Sequence, residues 1–384
     1  MPRGVVQQLM SHYLATSVSF AAGILSSLLA QEIWGHWERW KRRRGRRRAA
    51  HELAAKGQLA STDRGFLRIG TTSVPWVVCA MAPWAPSQIV CRYNPTPVPL
   101  VEPVQQCLEE LKRELGRRSE TGERVPFNGL GYKLESFDVS QRMVPDELAL
   151  LYLTFRPTDY FTMLATDHRL DDPIVVDGAP TTLRETYAKD VDLRIHPVDE
   201  FATHFGVAIQ IVTSDNLMII SERGNTAVDA GVFFPSVAEG GSRPVDGDDR
   251  QVPHPNRIAV RGIYEELAVE VLTDEINWVS FGANAVLCEY GMIGWVRTQL
   301  SWEQILERRE AGLPKDLWES TRLHAVPFGP KPVARFVGTH GPWSPFALAA
   351  IYHTLLAEFS WESVHSAFAK AELQLSEQLP PSAS

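Results

Sequence analysis

The chain has 384 residues, 44% of them hydrophobic and 22% charged, enough for a sizeable core and for two folded units with a short extra segment. Net charge is −8, and residues 38–48 hold one acid against eight Lys or Arg, so the remainder is more acidic still. A body this acidic lacks the extended basic surface that DNA or RNA polymers require, while a small anionic ligand can still find a local basic pocket.

Residues 4–31 carry no Asp, Glu, Lys or Arg, and residues 13–30, YLATSVSFAAGILSSLLA, are predominantly apolar or small. With a few flanking residues, a helix rising about 1.5 Å per residue crosses a hydrocarbon core of about 30 Å. Trp34, Trp37, Trp40 and the run KRRRGRRR follow, as aromatic rings and positive charge do at the cytoplasmic side of a span. The reading is a single-pass anchor in the inner (plasma) membrane, with the lipid bilayer as a partner and the bulk of the chain cytoplasmic. A secretory signal would carry positive charge ahead of the apolar run, where only Arg3 stands. A nucleic-acid-binding tail or an ordinary soluble helix is the other alternative. Ala15, Ser19, Gly23 and Ser27, spaced four apart, form a small-residue stripe for self-association.

Residues 51–65 read as a short helix running into a linker, and the proline-rich stretch 75–103 suits an irregular or edge-strand region. Residues 104–118 make a better helix, with Val104, Leu108, Leu111 and Leu115 on one face and Lys112, Arg113, Arg117 and Arg118 near the C-terminal end. The apolar run 147–155 fits a buried strand, and Thr158 or Asp159 is placed to cap a helix after it. Such a turn exposes backbone N–H groups beside Arg156 and Tyr160, where an anion or a base can sit, unless these residues merely pack and cap. Four cysteines, Cys79, Cys91, Cys107 and Cys288, follow no C-x-x-C spacing and read as buried thiols in a reducing compartment. No phosphate loop, dinucleotide fingerprint or G-x-S-x-G elbow occurs.

Residues 205–223 form the clearest hairpin, two β-rich runs around Ser214, Asp215 and Asn216. A short strand at 231–234, a glycine-rich loop, an amphipathic helix through RGIYEELAV (261–269), strands around 277–288 and Trp295, and a final helix over 345–359 follow. In the helix, Glu265 and Glu266 lie one turn after Arg261, and Ile263, Leu267 and Val271 recur every four residues. The plain reading is a solvated face with an Arg261–Glu265 ion pair.

Hairpin, glycine-rich loop and R-x-x-x-E-E helix together resemble a Nudix fold over 197–368. The family pattern is G-x5-E-x7-R-E-U-x-E-E-x-G-U, with U a bulky aliphatic. Gly247, Arg261, Ile263, Glu265, Glu266 and Val269 match it, whereas Pro253, Gly262 and Ala268 replace the first glutamate, the glutamate after the arginine and the late glycine. An insertion before the helix would instead make Gly241 the first glycine and bring Asp248 near the first glutamate's place. In active members these glutamates gather a divalent metal against a diphosphate, and Gly262 has no side chain to ligate metal or take a proton. The resemblance implies that catalysis is lost and assigns no catalytic residue. Glu265 and Glu266 are metal ligands only if metal binding is retained, so no cofactor is required and Mg²⁺ is the ion a retained site would take. Arg156, Tyr160 and Arg261 are the candidate ligand-binding residues.

A single span, a cytoplasmic intermediate region and a degenerate Nudix-like domain resemble the SMODS-associated Nudix proteins, effectors of cyclic-oligonucleotide (CBASS) anti-phage signalling. That resemblance implies a sensor of a cyclic oligonucleotide, a functional link to a CD-NTase, a homo-oligomer, and membrane disruption as the output. The alternative is a membrane-tethered, Mg²⁺-dependent Nudix hydrolase of nucleoside diphosphate derivatives; a protein-binding scaffold is a third class. The expected fold is α+β: an N-terminal transmembrane helix with its basic segment (1–48), an irregular α/β intermediate region (49–196), a degenerate Nudix-like mixed sheet with helices (197–368) and a polar tail (369–384).

Overall fold

The computed structural model describes residues 66–123, 125–140, 149–224 and 231–378. The chain divides after His51, and every described residue belongs to the unit Glu52–Ser384.

In chain order the first half gives β1 (Phe66–Ile69), β2 (Thr72–Trp84), β3 (Ile89–Tyr93), α1 (Glu102–Glu120), β4 (Leu130–Val139), β5 (Leu151–Asp159), α2 (Tyr160–Ala165), β6 (Pro173–Val176) and β7 (Ala179–Thr182). The second half gives β8 (Phe205–Val212), β9 (Leu217–Arg223), β10 (Phe233–Phe234), β11 (Val237–Gly240), α3 (Arg243–Asp246), α4 (Pro255–Leu267), β12 (Asn277–Asn284), β13 (Glu289–Arg297), α5 (Trp302–Glu310), β14 (Ser320–Pro327), α6 (Pro330–Thr339), α7 (Pro345–Glu358) and α8 (Trp361–Gln378).

Nine strands form one sheet in the order β1-β2-β12-β13-β8-β9-β10, with β11 on β8 and β14 on β9. Its pairings are antiparallel except β13 with β8. The strand at its centre, β8, is buried along its whole length because both faces are covered. Val207, Ile209 and Ile211 point to a core shared with Ile258, Ile263 and Leu267 of α4 and with Tyr132, Leu134 and Phe155 of the second sheet. Ala208 and Val212, one residue out of phase, meet Ala349, Ile351 and Leu355 of α7 on the other face. Each fully buried Leu or Ile contributes about 1.5–3 kcal/mol, so this two-sided pattern fixes the strand's register strongly. The β8–β9 hairpin pairs at Val212↔Met218 beside a turn through Asn216, whose φ is 61°, and β11 then takes β8's edge from Val237↔Ile209 to Gly240↔Gly206. That insertion carries Glu239 and Gly240 to the middle of α4, beside Arg261 and Gly262.

A second sheet, β3-β5-β4, pairs β3 with β5 in parallel and β4 with β5 antiparallel. Beside it α1 buries Val104, Cys107, Leu111 and Leu115 against Ala165, Leu170, Leu183 and Phe201. All four cysteines are free.

Two parts of the expected fold class are corrected. The intermediate region is not irregular: it supplies α1, α2 and seven strands, and β2 pairs with β12 inside the large sheet from Asn284↔Trp76 to Trp278↔Trp84. Prolines do not exclude β2 from the interior, because Pro75 stands just beyond the paired stretch and Pro83 lies where the register shifts between Trp278 and Ser280. The transmembrane helix is likewise not retained as part of the fold: no helix among the described residues is long and apolar enough to cross a membrane. Residues 13–30, on which that expectation rested, and the stripe from Ala15 to Ser27 lie outside the described residues. The stretch read as a polar tail begins inside α8, which runs to Gln378.

Candidate functional site

Helix α4 starts where Pro255 presets the backbone and the His254 ring accepts a hydrogen bond from Asn256 N–H, 3.2 Å. It buries Ile258, Ala259, Ile263 and Leu267 and ends at Ala268, whose φ of 53° is left-handed. The family pattern has glycine at this position, and Ala268 adopts the glycine's conformation at the steric cost of its Cβ.

The outward face of α4 is organised by Arg261, whose side chain is 18% exposed. Asp246 takes its Nε–H at 2.9 Å and one Nη2–H at 2.8 Å, a bidentate pair, and Gly240 O accepts from Nη2 at 2.8 Å. Nη1 lies 2.9 Å from Glu265 Oε2 and 3.1 Å from Glu239 Oε1. Of the five N–H groups of the guanidinium, four are hydrogen-bonded to Asp246, Gly240 and Glu265, and Glu239 lies at ion-pair distance. Burial opposes the charge on Arg261, but the hydrogen bonds and charges of Asp246, Glu239 and Glu265 outweigh it and hold the pKa above the ordinary arginine range.

Asp246 stands six residues after Gly240, which is the G-x5-acid spacing of the pattern. The acid that meets Arg261 is Asp246, the last residue of α3. Gly247 and Pro253, the positions read from the sequence as the first glycine and the first glutamate, bridge each other in the loop between α3 and α4. Asp248 is occupied within that loop, its Oδ1 accepting from Arg250 N–H at 2.8 Å and Val252 N–H at 2.9 Å. Tyr132 Oη pins the loop by donating to Gln251 O at 3.0 Å.

Gly262 does more than lack a carboxylate. A Cβ on it would stand 2.7 Å from Glu239 Cβ and 2.9 Å from Glu239 Cγ, so the stem of Glu239 fills the room a side chain would need. Burial first, and then the negative charge of Glu319, push the Glu239 carboxyl up to about 7 against the pull of Arg261.

The paired glutamates diverge. Glu265 is held by Arg261 and by Lys315, whose Nζ lies 2.5 Å from Oε1. Burial would raise its pKa, but hydrogen bonds from Lys315 and Arg261 hold it below the ordinary glutamate value. Glu266 turns inward, is 6% exposed, and accepts from Ala238 N–H of β11 at 3.1 Å. Burial, reinforced by Glu319, pushes its pKa well above the ordinary value, and its Oε1 fastens helix to strand. Among the described residues no group of three or more His, Cys, Asp or Glu is arranged to hold a metal ion. Glu265 has both carboxylate oxygens on cations, and Glu266 has Oε1 on the β11 backbone.

Arg156 and Tyr160 lie at the end of β5 and the start of α2. Arg156 binds Glu135 through Nε at 2.6 Å and reaches Thr96 O at 3.4 Å, partners that Arg261 does not share. The N–H groups of the turn are taken by the chain itself: Tyr160 donates to Gly129 O, Phe161 to Asn128 Oδ1 and Thr162 to the capping Asp159. Packing and capping describe this turn as it stands. Glu239, Asp246, Lys315 and Glu319 were not singled out from sequence. The spacing from Gly240 to Asp246 was the signal available for Asp246, whereas Glu239, Lys315 and Glu319 arrive through tertiary packing.

No protein-family model matches the chain, and no curated protein matches it. Among solved structures, DR0079 from Deinococcus radiodurans aligns with 39% of this chain and 82% of its own at 11% identity and a TM-score of 0.29, too distant to carry an argument about fold or activity.

Proposed function

We propose that the chain is a non-hydrolytic sensor of a cyclic oligonucleotide in CBASS-type antiviral signalling, linked in function to a CD-NTase and acting as a homo-oligomer. The observation that carries the non-hydrolytic half is the self-neutralised face of α4. Arg261 and Lys315 hold Glu265, Glu266 is buried and bonded to β11, and Glu239 fills the space at Gly262. A Mg²⁺-diphosphate site needs several ionised carboxylates free to turn toward one ion, and here each is already committed. The sensing half rests on the resemblance of the hairpin, the glycine-rich loop and the helix with Arg261, Ile263, Glu265, Glu266 and Val269 to a Nudix scaffold.

Calorimetry on the full chain with a panel of cyclic di- and trinucleotides tests the proposal. Binding that persists in EDTA, with no product formed, is the expected result. Absence of heat with every member of the panel would remove the sensing half, and Mg²⁺-dependent turnover of a nucleoside diphosphate derivative, lost in Glu266→Gln, would overturn the non-hydrolytic half.

A further inference from the structure

We propose that Asp167, Thr166 and the backbone of His204 form a proton-operated latch between the end of α2 and the start of β8, closed while Asp167 carries a proton and loosened when it ionises. The latch is independent of the ligand proposed above.

Asp167 and Thr166 are fully buried. Asp167 Oδ2 accepts from His204 N–H at 3.0 Å, while Oδ1 lies 2.9 Å from Thr166 Oγ1. The same hydroxyl lies 2.8 Å from Thr162 O and accepts from Ala202 N–H at 3.1 Å. It has one hydrogen, yet two of its neighbours, a carbonyl and a carboxylate, are both acceptors. A proton on Asp167 Oδ1 removes the conflict: Asp167 donates to Thr166, Thr166 donates to Thr162 O, and the second lone pair receives Ala202 N–H. Every group is then satisfied, whereas the ionised form leaves a charge in a dry site with one acceptor contact unserved.

The surrounding charges agree with that protonation. Burial is the largest influence on Asp167, followed by Glu289 at the start of β13, and together they push the carboxyl up to about 7. The bonds from His204 N–H and Thr166 and the neighbouring His168 pull the other way. His168 Nε2 meets Glu289 at 3.3 Å while its Nδ1 is buried without a partner. His204 is held below the usual histidine value chiefly by burial. Lys133 of β4 reaches this cluster with its pKa lowered to about 8 by burial, its Nζ spent on the carbonyls of Val198, Asp199 and Phe201. Cys288, on the turn before β13, is also buried beside Asp167 and pushed up to about 12, again chiefly by burial, so it adds no charge.

The position gives the latch a reach beyond itself. The His204 ring packs so closely beneath Gly240 that a Cβ there would stand 2.4 Å from its Cε1, and the Gly240 carbonyl is one of the acceptors of Arg261. Ionisation of Asp167 therefore loosens the backbone of His204, whose ring packs beneath the glycine beside the α4 site.

For the sign, an acid whose folded pKa is raised from 3.8 to about 7 binds more protons folded than unfolded across that window. Its stabilising contribution is complete at the acid end and is lost as pH rises toward about 7. Asp167→Asn mimics the protonated acid, its amide donating to Thr166 Oγ1 and its oxygen accepting His204 N–H. The experiment compares melting temperature against pH for full-length wild type and Asp167→Asn, because the difference cancels the other titrating groups. We expect the variant to gain on wild type by several degrees between acidic and alkaline pH; parallel curves, or a variant that loses ground as pH rises, would overturn the latch. Hydrogen exchange on the wild type alone supplies a second reading. The His204 and Ala202 amides should lose protection about tenfold or more above neutral pH after base catalysis is allowed for, and unchanged protection would overturn it.

Discussion

Buried carboxylates are housed in two different ways on the two sides of Gly240. On the α4 side the acids Asp246, Glu239 and Glu265 surround one guanidinium and are balanced by cations. On the β8 side the proposed latch balances Asp167 with a proton, which the Thr166 and His204 bonds accommodate. The difference teaches where pH and where charge control each region. Cation-balanced acids fail when the cation is removed, whereas a proton-balanced acid fails when the proton leaves.

The sharpest way to break that comparison is Arg261→Met. Three acids would lose their common partner, among them Asp246 with a side chain only 1% exposed, so unfolding free energy in urea should fall by about 3–5 kcal/mol. A loss under about 1 kcal/mol would reduce the hub to an ordinary surface pair.

Gly262→Glu comes next. It places a carboxylate on the helix at this position, but its stem meets Glu239 Cβ and Cγ, and overpacking of this kind costs about 1–3 kcal/mol. No Mg²⁺-dependent hydrolysis should appear, and Glu239→Gly in the same chain should recover most of the stability. Equal stability of the single and double variants would show that the two stems do not compete.

Glu239→Gln probes the one acid of the Arg261 cluster whose burial outweighs the pull of its cation. With its folded pKa raised from 4.5 to about 7, Glu239 stabilises most fully at acidic pH and loses that contribution as pH rises through this window. Its Gln variant should flatten the decline in stability between those values by on the order of 1 kcal/mol, measured by denaturation at each pH. Glu265 has the opposite sign, its contribution being lost as pH falls through its lowered pKa. The smallest effect is Ala268→Gly, which relieves a left-handed alanine and should stabilise by about 0.5–1 kcal/mol.

What sequence could read follows the range of the interactions. The helix through RGIYEELAV was legible because its burial is periodic, and the Arg261–Glu265 pair because it spans one turn. The helix α1 and the β8–β9 turn were legible for the same local reasons. The interior place of β2 was hidden by prolines that the β12 register accommodates. Glu239 approaches α4 through a strand pairing, and Asp246 through a loop whose length obscured the spacing. Gly262 was read as a missing ligand, whereas the packing makes it a steric necessity once Glu239 is in place.

The central claim is that the α4 carboxylates are balanced from within and leave no demand for a metal. Its most direct test is a titration of the full chain with Mg²⁺, followed by calorimetry and by an assay for nucleoside diphosphate hydrolysis. The account predicts no saturable Mg²⁺ binding at this site, no turnover, and cyclic-nucleotide binding unchanged by EDTA. Saturable Mg²⁺ binding that disappears in Glu265→Gln, accompanied by turnover, would contradict it.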